Sequence, residues 1–151
     1  LAKGRVNTMQ RLFDFIEPHD ICPILPFPSA NPRTGDELAE HYMEELDSIW
    51  QVDARNLIYA AENDPLDLYR TILKIDDRRK PVFAETGGSL LILSPAGSKV
   101  LSIGALLAAL ERNLPIAYLE AVGYEFKEAE LPFEDCEPHL VHVWLEGEVY
   151  P

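Results

Sequence analysis

The constraint that most limits this chain is an uninterrupted passage from Leu90 to Arg112. Leu90-Leu91-Ile92-Leu93 is a run of branched apolar residues, the composition of a strand buried on both faces. Ser94-Pro95-Ala96-Gly97-Ser98-Lys99 then supplies turn chemistry, and Val100–Arg112 reads as a helix that meets no strong breaker before Asn113-Leu114-Pro115. Strand, short small-residue loop and helix in that order present free backbone N–H groups, with a helix dipole behind them, to an anion. Lys99 adds a cation at the end of the helix where the dipole favours negative charge, which argues that it faces a ligand.

The same alternation runs along the chain. Met9, Leu12, Phe13 and Ile16 share a helical face that Pro18 ends. Ile21–Phe27 is a short apolar strand, pushed toward a sheet edge by Pro23 and Pro26. After a loop over Asn31–Asp36, Leu38, Tyr42, Leu46, Ile49 and Trp50 line a second helix. A second strand lies within Val52–Ala61, centred on Asn56–Ala60. Asp64 then caps a third helix with Pro65 in its first position. This helix is expected to finish in the solvated run Asp76–Lys80, with Pro81–Gly88 as a connector, and a further strand falls at Ile116–Leu119.

Strands alternating with helices predict an α/β domain of three layers. Its sheet is mainly parallel, with Leu57–Ala60, Leu90–Leu93 and Ile116–Leu119 as central strands. The small residues Gly104, Ala105, Ala108 and Ala109 are expected to pack that helix closely on the sheet. Residues 1–126 form this domain. Residues 127–151 form an acidic connector and a last, partly alternating edge strand packed on it. Gly4-Arg5-Val6-Asn7-Thr8 ahead of the first helix looks like a βα turn whose strand is absent. The start at Leu1 suggests that something upstream is missing: a processed or disordered segment, or the first element of the fold.

The formal charge of −13 repels a nucleic-acid backbone, and no Lys/Arg-rich run offers an exception, so a duplex is excluded as a partner while a nucleotide-sized ligand is not. No apolar stretch approaches the roughly 20 residues of a membrane helix. Two distant cysteines, Cys22 and Cys136, do not make a disulfide framework, and a reducing cytoplasm is the expected compartment. Cys136, His139 and His142 resemble a metal cluster, but in a strand the two histidines would face opposite sides, so no metal and no cofactor is expected.

In open parallel sheets ligands sit beyond the carboxyl ends of the strands. The turns there carry Arg5, Asn7 and Thr8; Ser29, Asn31, Arg33 and Asp36; Glu62 and Asn63; Ser94, Gly97, Ser98 and Lys99; and Glu120 and Tyr124. From these, Ser94, Gly97, Ser98, Lys99, Arg33, Asn31 and Glu62 are the expected ligand-binding set, with Lys99 and Arg33 on phosphate. The ligand class is a nucleotide or other phosphorylated metabolite, bound by a sensor or regulatory domain. An enzyme on a nucleotide or phosphosugar, with Glu62 or Asp36 as general base, is the alternative, and a protein-interaction domain is a third. No Ser-His-Asp, Cys-His or HExxH pattern occurs.

Glu85–Leu119 resembles the later half of the CRISPR-associated Rossmann fold family, in which a strand runs into a Thr-Gly-Gly-Thr-Lys-like loop and an Ala-rich helix. Gly97-Ser98-Lys99 matches the end of that loop in kind, whereas Pro95 and Ala96 depart from it and Thr86-Gly87-Gly88 precedes the strand. The resemblance implies a Rossmann-like fold, a phosphate-binding role for Gly97, Ser98 and Lys99, and a tendency to form homodimers.

Overall fold

The computed structural model describes residues 1–2, 4–120 and 140–143. It is an α/β chain with a small parallel sheet. Helix α1 (Val6–Ile16) precedes strand β1 (Ile24–Pro26), helix α2 (Thr34–His41), strand β2 (Ile58–Ala60) and helices α3 (Pro65–Phe83) and α4 (Lys99–Arg112). A π-helical turn at Glu45–Ile49 prolongs α2, so Tyr42 and Leu46 stay on the buried side with Leu38.

β1 and β2 pair in parallel, Ile24 opposite Ile58 and Pro26 opposite Ala60. Successive residues of a strand face opposite sides, and here each side has its own core. Leu25 joins Leu38, Tyr42 and Leu46 under α2. Ile24 and Ala60 face the larger core, where α3 and α4 bring Leu68, Ile72, Leu101, Ala105, Ala108 and Ala109 together with Leu93. α1 covers the α2 side, its Phe13 ring edge-on to Trp50 at 4.8 Å.

α3 starts as its sequence dictates. The Asp64 carboxylate accepts from the N–H groups of Leu66 (2.9 Å) and Asp67 (3.3 Å), and Pro65 occupies the first turn, where its missing N–H costs nothing. It ends later than expected, running through Pro81 to Phe83. The charged run is therefore not the end of the helix, and it is solvated only in part: Asp77, Arg78 and Lys80 are exposed. Asp76 is only 4% exposed and pairs with Lys80 at 2.5 Å, Arg79 reaches Asp20 at 3.0 Å, and Asp77 pairs with Arg112 of α4 at 3.2 Å. These ties hold the last turns in place across the proline.

Two further expectations are corrected. The small-residue stripe packs chiefly on α3, not on the sheet: a Cβ added to Gly104 would sit 2.2 Å from the Pro65 carbonyl oxygen. Leu90–Leu93 and Ile116–Leu119 do not form laddered strands. Among the described residues they meet in one parallel bridge, Leu93 with Ile116, and Leu90 is 73% exposed. The two segments stay in hydrogen-bonding reach only around Leu93, which donates to the Pro115 carbonyl at 2.9 Å and accepts from the Ala117 N–H at 2.8 Å; on its other side a cavity of about 750 Å³ lies between Leu93 and β1. The last strand, expected over 139–150, lies mostly outside the described residues.

Candidate functional site

A cleft of about 470 Å³ opens where β1 and β2 end. It is bounded by Pro26, Asn31, Thr34, Glu37, Glu62, Gly97 and Ser98, with Leu1 and Ala2 at one side and Leu38 and Leu101 at its base. Each polar group is set by local chemistry. Glu62 follows β2, and its N–H donates to the Pro28 carbonyl at 2.9 Å. Its carboxylate accepts from the N–H of Ala30 at 3.3 Å, tying the β1 loop to the β2 loop. Asn31 folds that loop back: its side-chain oxygen accepts from the Arg33 N–H at 3.0 Å, and its carbonyl accepts from the Thr34 N–H at 3.0 Å and from the Ser29 hydroxyl. Ser98 is extended and caps α4, its Oγ accepting from the Leu101 N–H at 3.2 Å.

Four of the seven expected residues therefore come together, Asn31, Glu62, Gly97 and Ser98, drawn from three separate loops. The other three do not. Ser94 lines the larger cavity between β1 and Leu93. Arg33 and Lys99 are exposed and line neither cavity. For Lys99 the reason is that α4 begins one residue earlier than expected. Ser98 takes the capping position beside the cleft, and Lys99, the first helical residue, is carried to the exposed side. Arg33 similarly precedes a helix that starts at Thr34, inside the stretch expected as loop. Of the candidate bases, Asp36 and Glu120 are exposed and outside the cleft, while Glu62 is within it. Tyr124, Cys136 and His139 lie outside the described residues, and His142 is exposed.

Glu37 and Thr34 are contributions that sequence reasoning missed, and the early start of α2 is the reason: one turn of helix brings both to the cleft. Gly35 permits it, since a Cβ there would stand 3.2 Å from the Pro26 carbonyl oxygen. Gly97 has no comparable need, because its Cβ would meet only the Leu1 carbonyl oxygen at 3.7 Å.

Among the described lining residues the charged side chains are both carboxylates, Glu37 and Glu62. Such a site accepts hydrogen bonds from ligand hydroxyl or amino groups. No lysine or arginine is among these lining residues, and Gly97 and Ser98 bring the start of α4 to the cleft. The Leu1 amine, beside the cleft, is buried and donates to the Ile24 carbonyl at 3.0 Å; desolvation lowers its pKa from the ordinary 8.0.

No family model, no characterised protein and no solved structure matches this chain. Among the described residues no helix is long and apolar enough to cross a membrane.

Proposed function

We propose that this chain is a cytoplasmic, Rossmann-like sensor or regulatory domain that binds a nucleotide or other phosphorylated small molecule in the Asn31–Glu62–Ser98 cleft. In this reading β1–β2 and the Leu93–Ile116 pair are two parts of one parallel sheet covered by helices on both faces. The kinship with the CRISPR-associated Rossmann fold family, including homodimer formation, belongs to the same proposal. The observation that carries it is convergence: three loops distant in sequence meet at the carboxyl ends of parallel strands, where open α/β sheets hold their ligands. Glu62 and Glu37 suit the hydroxyls of a ribose or sugar, and the first turn of α4 suits its phosphate.

The test is a thermal-shift screen with ADP, cyclic AMP and glucose 6-phosphate, followed by calorimetry on any compound that stabilises the protein. Glu62→Gln keeps an oxygen for the Ala30 N–H but loses the charge. It should weaken a hydroxyl-bearing ligand about tenfold, the order expected from about 1.5 kcal/mol for a charged hydrogen bond. Stabilisation by none of these compounds, or equal affinity of the variant, refutes the reading. Turnover of the bound compound would assign Glu62 the role of base instead.

A further inference from the structure

Helix α4 is apolar on two opposite faces. Leu101, Ala105, Ala108 and Ala109 are buried in the core that α4 shares with α3. On the far side Ile103, Leu106 and Leu110 are 42%, 47% and 73% exposed. Steps of three and four residues hold these three within about 40° of one another around the helix axis, so they form one stripe. From Val100 to Leu110 no charged residue interrupts the helix, in a chain of which 26% is charged. A helix that is apolar all round belongs in an environment that covers both its sides. Lys99 stands at the N-terminal end of the same stripe, exposed, with no ion pair among the described residues. Its charge lies at the positive end of its own helix dipole, an unfavourable place, and the cleft does not use it.

We propose that the Ile103–Leu106–Leu110 stripe docks a second copy of this chain, with the two α4 helices antiparallel about a twofold axis. The spacing suits a self-complementary contact. A twofold beside Leu106 sets Ile103 against the partner's Leu110 and Leu110 against the partner's Ile103, with the two Leu106 side chains meeting at the axis. The same register carries Lys99 to the partner's Asn113, which caps the C-terminal end of its α4 in the left-handed conformation. There the cation faces the negative end of a helix dipole, so a charge that is misplaced in one copy becomes complementary in the pair. A stripe free of carboxylates also gives two chains, each of formal charge −13, a line along which to approach. Three turns of one helix fall short of the roughly 800 Å² per partner that stable complexes bury, so the association is weak and grows with concentration. This deepens the proposed reading by giving its homodimer a particular face, and it does not depend on any ligand of the cleft.

The experiment is sedimentation velocity on the 151-residue chain from roughly 5 to roughly 500 μM, the range in which a weak contact dissociates. A monomer–dimer equilibrium is expected. Leu106→Glu should abolish it while leaving the melting temperature of the dilute monomer unchanged, and Lys99→Glu should weaken it several-fold. Oxidation of Leu106→Cys should join two copies through residue 106, with the bond mapped by peptide mass spectrometry because Cys22 and Cys136 are also present. Ile103→Cys and Leu110→Cys, which meet each other and not themselves, should crosslink only when the two variants are mixed. A monomer throughout that range overturns the proposal, as does a dimer that survives Leu106→Glu. A melting temperature lowered by Leu106→Glu in a chain that stays monomeric assigns the stripe to cover by residues 121–139 or 144–151 of the same chain and also overturns it. Titrations of the cleft test the ligand separately and are unaffected by any of these results.

Discussion

Gly104→Ala sets two opposed effects against each other, and the structure decides between them. In an exposed helix the change is favourable by about 0.5–1 kcal/mol, because alanine loses less backbone entropy. Here the new Cβ would lie 2.2 Å from the Pro65 carbonyl oxygen, 3.1 Å from its carbon and 3.2 Å from the Leu68 Cβ. All three neighbours are backbone or the root of a side chain, so none can swing aside. Carbon–oxygen contacts normally settle near 3.3–3.6 Å, which requires α3 and α4 to part by about 1 Å. That separation loosens Ala105, Ala108 and Ala109 against α3, in a core packed at crystal-like density. Overpacking of this kind costs about 1–3 kcal/mol and outweighs the propensity gain. Urea denaturation followed by circular dichroism should give a lower midpoint for the variant, with a melting temperature lower by roughly 2–8 °C. Gly97→Ala, whose Cβ meets one oxygen at 3.7 Å, is the control and should leave both unchanged. A midpoint at or above the parent's would refute the close α3–α4 approach.

Three other outcomes follow from named contacts. Asp64→Ala removes the acceptor for the Leu66 and Asp67 N–H groups and should cost about 1 kcal/mol in the same denaturation assay. The buried Leu1 amine has a folded-state pKa below 8.0, so the unfolded chain binds its proton more tightly. Stability from this group is complete above pH 8.0 and declines as pH falls through the folded value, and N-terminal acetylation should remove that slope from melting curves. Lys99→Ala should leave both stability and affinity for any ligand of the cleft unchanged in calorimetry, since the side chain is exposed outside it.

Features governed by neighbouring residues were legible in the sequence. The Asp64–Pro65 start of α3 and the apolar faces of α1 and α4 each depend on a few adjacent side chains. The convergence of Asn31, Glu62, Gly97 and Ser98 was legible too, because parallel strands place their following loops at one end. What was not legible depends on partners or on a single residue of register. Leu90–Leu93 has strand composition, yet a ladder needs a partner backbone within hydrogen-bonding reach over several residues, and the Ile116 segment meets it in a single bridge. A shift of one residue at the start of α4 turns Lys99 by roughly 100° about the helix axis, enough to take it from the cleft to solvent. Periodicity marked the Gly104–Ala109 face as close-packed but does not say whether a sheet or a helix covers it.

The central claim is that the cleft at the strand ends is a binding site, and backbone NMR tests it directly. Titrating ADP, or whichever phosphorylated compound the thermal screen selects, into nitrogen-15-labelled protein should shift the amides of Asn31, Glu62, Gly97 and Ser98 together, saturably and with one dissociation constant. Amides of the α3–α4 contact, such as Ile72 and Ala108, should stay in place. Saturable shifts confined to residues outside the cleft, or none at all with a compound that stabilises the protein, would contradict the account.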